Sequence, residues 1–145
     1  MNPLSGESLE QLEESQLDRS RRMSLNKKQI YIVDDDESVC RSLKLLIASY
    51  GLPVKTFTSA EEFFSAVPNG IPGCLIMDIH MPGLKGWEAQ ERLLKSGSKR
   101  AVIIITVDKD NGLKEKVLKE GALGFLQKPI NEKELMGLIR QSFIN

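Results

Sequence analysis

QIYIVDDDESV, residues 29–39, opens as an apolar run, Ile30–Val33, and closes in four consecutive acids, Asp34, Asp35, Asp36 and Glu37. A short apolar run bounded by polar residues reads as a strand buried on both faces. Like charges on adjacent residues repel, so the acids are destabilising unless a positive group offsets them. The place where this strand leaves the core is therefore the first place to look for a bound ion.

Working outward, the same texture repeats down the chain. Residues 37–50 read as a helix with Val39, Leu43, Leu46 and Ile47 on one face, stopped by Gly51. Residues 53–57 form a short strand. Ser59 caps a helix over 60–67, which Pro68-Asn69-Gly70 ends. Further apolar strands follow at 74–77, 102–105 and 123–126. The expected helices between and after them cover 87–95, 111–120 and 132–143, with Asn131 capping the last. Strand and helix alternate five times. That order implies a parallel sheet with right-handed crossovers. No GxGxxG follows the first strand, so a dinucleotide fold would lack its phosphate loop. The expectation is α/β: a flavodoxin-like, doubly wound five-stranded sheet of order 2-1-3-4-5 with five helices.

The totals agree with one globular domain. The chain has 145 residues, 41% hydrophobic and 28% charged, with 20 basic against 20 acidic side chains. This balance gives no electrostatic footprint for nucleic acid or an anionic membrane. Cys40 and Cys74 lack metal-ligand spacing and sit in apolar segments, so they read as reduced core residues. Residues 1–27 differ from the rest, with acids from Glu7 to Asp18, then bases from Arg19 to Lys28, and only scattered Leu and Met. They read as a flexible or weakly helical extension without a signal-peptide core. Residues 28–145 read as the folded domain, with no output domain after it, and a cytoplasmic setting is the expectation.

In doubly wound sheets ligands bind outside the carboxyl ends of the strands. Strand 1 ends in Asp34, Asp35 and Asp36, strand 3 in Asp78, strand 4 in Thr106 and strand 5 in Lys128-Pro129. In the 2-1-3-4-5 order strands 1 and 3 are neighbours, about 4.8 Å apart. Asp34, Asp35 and Asp78 then converge. Two carboxylates about 5 Å apart repel by roughly 3 kcal/mol at an effective dielectric near 20. A hard divalent cation with oxygen ligands answers that repulsion, and Mg²⁺ suits a site with few protein ligands. Lys128 adds a positive group from the far side. An aspartate, a metal, a lysine and a hydroxyl make a phosphoryl-transfer site. Asp78, alone at the mouth of the central strand, is the candidate nucleophile. Asp36 and Glu37 read as first-turn helix charges rather than ligands.

Together and in this order, these residues resemble the receiver domain of two-component response regulators. The motifs are Ile32-Val33-Asp34-Asp35, the stretch Asp78-Ile79-His80-Met81-Pro82-Gly83-Leu84-Lys85-Gly86, Thr106, Gly121-Ala122, and Phe125-Leu126-Gln127-Lys128-Pro129. The resemblance covers residues 28–145. It implies that Asp78 accepts a phosphoryl group from the phosphohistidine of a sensor histidine kinase or phosphotransfer protein. It implies Mg²⁺ on Asp35, Asp78 and the backbone carbonyl of His80, with Asp34 acting partly through water. Thr106 and Lys128 would contact the phosphoryl group, Phe125 would turn inward with Thr106, and Lys128–Pro129 would be cis. The chain would be a phosphoprotein switch in signal transduction, not an enzyme, although it would catalyse its own phosphorylation and slow dephosphorylation. The surface of helix 111–120, strand 123–126 and helix 132–143 would then regulate a downstream protein. A homodimer through those helices is compatible, with no direct nucleic-acid or membrane binding. The wording Val33-Asp34-Asp35-Asp36-Glu37-Ser38 and Ser59-Ala60-Glu61-Glu62-Phe63 is similar to receivers that carry a helix-turn-helix output domain.

Three positions stand out against that pattern. Val107 follows the switch threonine where the family has Ala or Gly, and its methyls are expected to narrow access and slow phosphorylation and its loss. His80 and Asp108 lie where they could tune an attacking water. Two other readings fit less of the chain. Asp34-x-Asp36-x-Ser38 resembles the opening of haloacid-dehalogenase phosphatases, with Asp34 as nucleophile. A receiver-shaped interaction module without phosphorylation needs no clustered acids.

Overall fold

A computed structural model describes residues 29–68, 70–79, 91, 100–107 and 111–144. The order of elements is β1 (Ile30–Val33), α1 (Glu37–Ala48), β2 (Val54–Phe57), α2 (Ala60–Ala66), β3 (Cys74–Asp78), β4 (Ala101–Thr106), α3 (Asn111–Lys119), β5 (Gly124–Gln127) and α4 (Glu132–Ile144). The strands form one parallel sheet in the order β2-β1-β3-β4-β5. This is the expected topology. The helix expected over 87–95 lies outside the described residues apart from Glu91, as does the extension 1–27.

Boundaries moved by one or two residues for local reasons. The first helix stops at Ala48, not at residue 50, because the chain turns through Ser49–Gly51, with Gly51 at φ 81° and its N–H donating to Ala48 O at 2.9 Å. Glycine takes that left-handed conformation without a Cβ clash. β3 and β4 each run one residue further, into Asp78 and Thr106, because the ladder still has partners there: Asp78 pairs with Ile105 and Thr106 with Gln127.

Alternation along each strand divides the core between the two sheet faces. Tyr31, Val33, Leu75, Met77, Val102 and Ile104 face α2 and α3. Ile30, Ile32, Cys74, Ile76, Ile103 and Ile105 face α1 and α4. At the end of the sheet away from the acids, the Arg100 guanidinium lies over the rings of Phe63 and Tyr31, 5.3 and 5.6 Å from their centroids. Its Nη2 and Nε also bond the carbonyls of Pro68 and Ile71. The charge is thereby held in a nearly buried place by carbonyl dipoles and aromatic faces.

Cys40 and Cys74 are buried free thiols, as expected. Burial pushes them up to about 11 and about 12, from an ordinary value of 9.0. A raised folded-state value means that the stability is fully present below the unfolded value and is lost as pH rises. Unfolding by urea is therefore expected to become easier as pH rises from 8 to 10. The slope should flatten in Cys40→Ala/Cys74→Ala; an unchanged slope would place the effect elsewhere.

Candidate functional site

The site lies at the carboxyl ends of β1, β3, β4 and β5. Asp34 follows β1 directly, and its N–H still donates to Phe57 O at 3.1 Å, so it stays in sheet geometry and is fully buried. Asp78 is the last residue of β3 and is also buried. Asp35 is exposed at the rim. One carboxylate oxygen from each of Asp34, Asp35 and Asp78 lies within 4.8 Å of the others. The convergence expected from adjacent strands 1 and 3 is thus present.

Lys128, just past β5, reaches across to both buried acids. Its Nζ donates to Asp34 Oδ2 at 2.8 Å and to Asp78 Oδ2 at 3.0 Å. Lys128 N–H donates to Thr106 O at 2.7 Å, which anchors the residue at the end of β4. The Lys128–Pro129 bond is cis. Asp34 uses its other oxygen as well: Oδ1 accepts from the Asp36 N–H at 2.9 Å.

The electrostatics follow from burial and pairing. Desolvation raises the Asp34 carboxyl above its ordinary value, and the bonds from Lys128 and the Asp36 N–H only partly offset this. For Lys128 burial works against the charged form, but the bonds to Asp34 and Asp78 win and its pKa is raised. The cluster thus holds a lysine firmly charged among acids that would otherwise repel one another.

Glu37 lies in the first turn of α1 as expected, but Asp36 stands just before that turn. It is the N-cap of α1, with Oδ1 accepting from Ser38 N at 2.9 Å, Val39 N at 3.4 Å and Ser38 Oγ at 2.6 Å. The Ser38 hydroxyl and these amides pull its carboxyl below the usual range. Losing a cap of this kind costs about 1 kcal/mol. Asp36→Ala is accordingly expected to lower the urea midpoint by a corresponding amount; a change within error would mean that water satisfies the α1 amides equally well.

Thr106 ends β4 fully buried, one residue beyond the partner of Asp78. Phe125 is half-buried against the core face of α2 and α3. Val107 is 69% exposed beside Thr106. His80 and Asp108 lie outside the described residues. The sequence reading missed the Asp36 N–H as a ligand of Asp34. A single acid two residues after a strand-end acid is the only signal, and it does not separate a cap from a metal ligand.

Chemically, the donor set is all oxygen, with two buried carboxylates and one exposed carboxylate at the opening. That set fits a hard divalent cation approached from solvent. Among the described residues no helix is long and apolar enough to cross a membrane.

Comparison with known proteins gives the same frame. The family model described as the response regulator receiver domain matches residues 30–140. The response regulator protein TodT of Pseudomonas putida is 40% identical over 120 residues, 83% of this chain and 53% of that protein. The transcriptional regulatory protein FixJ of Bradyrhizobium diazoefficiens is 35% identical over 116 residues, 80% of this chain and 57% of that one. The chain therefore spans about half the length of the curated relatives it matches. Among solved structures, FixJ-N superposes with a TM-score of 0.75 at 30% identity, covering 81% of this chain and 94% of that one. The response regulator StyR gives 0.76 at 35% identity, covering 81% and 59%. With the sheet order and the acid cluster, these matches settle the family: the chain belongs to the receiver domains of response regulators.

Proposed function

We propose that this receiver is a phosphorylation switch in which Asp78 is the phosphoacceptor. The observation that carries the reading is the convergence of Asp34, Asp35 and Asp78 within 4.8 Å, with Lys128 Nζ bonded to Asp34 and Asp78. A carboxylate oxygen of Asp78 attacks the phosphorus of a phosphohistidine on a sensor kinase or phosphotransfer protein. The P–N bond breaks, a P–O bond forms, and an acyl phosphate remains on Asp78. Asp34, Asp35 and Asp78, with the backbone carbonyl of His80, would hold Mg²⁺, which when bound would neutralise charge on the transferring oxygens. Lys128 turns its ammonium from the carboxylates to a phosphoryl oxygen. Thr106, at the adjacent strand end, donates its hydroxyl to another. The added charge of nearly two units then biases the surface of α3, β5 and α4, with Phe125 following Thr106. A downstream protein reads that surface.

Intact mass after incubation with acetyl phosphate tests this. A single phosphoryl adduct that needs Mg²⁺ is expected. No adduct from either acetyl phosphate or a phosphorylated kinase would leave a receiver-shaped interaction module that works without phosphorylation.

Val107 is a further part of the reading. Where a side chain stands beside a fully buried Thr106, its methyls limit how a donor or a water approaches Asp78. Val107→Ala is expected to speed both adduct formation from acetyl phosphate and adduct hydrolysis. If neither rate changed, the steric role would be withdrawn.

A further inference from the structure

We propose that the acidic, leucine-bearing segment 7–18 of this same chain docks on the solvent-facing side of α1, against Arg41, Lys44, Leu45 and Ala48. The inference does not rest on the phosphotransfer reading.

α1 has two distinct faces. Cys40, Leu43 and Ile47 turn inward and are buried. On the opposite side Arg41, Lys44, Leu45 and Ala48 are all exposed, and their spacing of three, four and seven places them in one stripe. Leu45 is 69% exposed in the middle of that stripe. Two bases flanking an exposed leucine and an alanine make a face suited to an acidic, apolar partner. Glu37 closes it at the N-terminal end. The last turn of α1 carries no base, so its C-terminal end lacks a cation of its own.

Residues 1–28 carry the complement. Between residues 7 and 18 stand Glu7, Glu10, Glu13, Glu14 and Asp18, with Leu9, Leu12 and Leu17 and no base. Between 19 and 28 stand Arg19, Arg21, Arg22, Lys27 and Lys28, with no acid. On a helix Leu9, Leu12 and Glu13 share one face, an apolar and acidic mixture that matches the apolar and basic mixture of α1.

The entry point of the chain selects α1. Ile30 N–H and the Gln29 side chain both donate to Pro53 O, at 2.9 and 3.1 Å, so the extension joins the domain beside the turn that follows α1. Its basic stretch is the part of the extension closest in sequence to that entry point. Its acidic stretch begins about eleven residues earlier, a reach of up to roughly 36 Å, against roughly 18 Å for the whole of α1. Among the described residues, another basic face is on α3, with Lys114, Lys116 and Lys119 around Leu118. It lies on the other side of the sheet, and Leu118 is only 37% exposed. Because the segment is tethered, docking needs little intrinsic affinity: a high effective concentration replaces it.

The test uses the full chain. Both native thiols are buried, so a nitroxide attaches selectively to Gln11→Cys, on the side of the segment away from Leu9 and Glu13. Selective broadening of the Arg41, Lys44, Leu45 and Ala48 amides, several-fold above that at Lys114–Lys119, is the expected result. Arg41→Glu/Lys44→Glu should abolish the difference, and adding Glu10→Lys/Glu13→Lys should restore it. Uniform broadening, broadening centred on α3, or a failure of the charge swap to restore the pattern overturns the proposal. So does broadening of an unlabelled-cysteine chain by a separate nitroxide-bearing copy, since the contact would then lie between molecules.

Discussion

Asp78→Asn is expected to take up no phosphoryl group from acetyl phosphate, at any Mg²⁺ concentration, while keeping its fold. The amide has the shape of the carboxylate but no nucleophilic oxygen anion, so the acyl phosphate cannot form. The neighbours are poor substitutes. Asp34 is fully buried, and both its oxygens accept hydrogen bonds, from Asp36 N–H and Lys128 Nζ. Asp35 is reachable but lies at the exposed rim. The substitution removes one of the two carboxylates that Lys128 holds and leaves the other at 2.8 Å, so no unpaired charge is created. Intact mass, with circular dichroism as the control for folding, reads the result. An adduct forming at the wild-type rate would move the acceptor to another residue and sink the assignment.

Phe63→Ala is expected to lower the unfolding free energy by about 3–5 kcal/mol, a large share of the roughly 5–15 kcal/mol that a domain of this size has. Phe63 is fully buried at the centre of an aromatic group. Its ring meets Tyr31, Phe57 and Phe64 edge-on, with centroids 5.4, 5.5 and 5.4 Å away. The Arg100 guanidinium lies over its face. Truncation leaves a cavity walled by rings that cannot collapse freely, and removes one of the two aromatic faces that help hold a nearly buried charge. Urea denaturation measures the change. A loss below about 1.5 kcal/mol would mean that the neighbouring rings close over the gap.

Much of this structure was readable from residue order alone, for identifiable reasons. Ile30–Val33, residues 74–77 and residues 102–105 are apolar without interruption, and only a strand covered on both faces places every residue in a core. Once the strands were placed, their order made Asp34, Asp35 and Asp78 neighbours, and the repulsion between them required Lys128 or a cation. Element ends were less legible because they depend on partners distant in sequence. β4 includes Thr106 because Gln127 is opposite it. Arg100 was not legible at all. It follows Lys99 and reads as a solvated charge. Its nearly buried place exists only because the fold brings Tyr31, Phe63 and the carbonyls of Pro68 and Ile71 to it. Asp36 was legible as a helix-start residue, but not its amide's bond to Asp34.

The reach of Lys128 has a consequence for how far an event at Asp78 can be felt. Asp34 follows β1 and Asp78 ends β3, while Lys128 belongs to the chain leaving β5 at the sheet's outer edge. One side chain therefore spans from the centre of the sheet to its border, passing the end of β4. A change of charge on Asp78 would therefore act first on a side chain rooted beside that border strand. The link from the middle of the sheet to its border is a tie-rod one residue long, anchored just before the chain turns into α4.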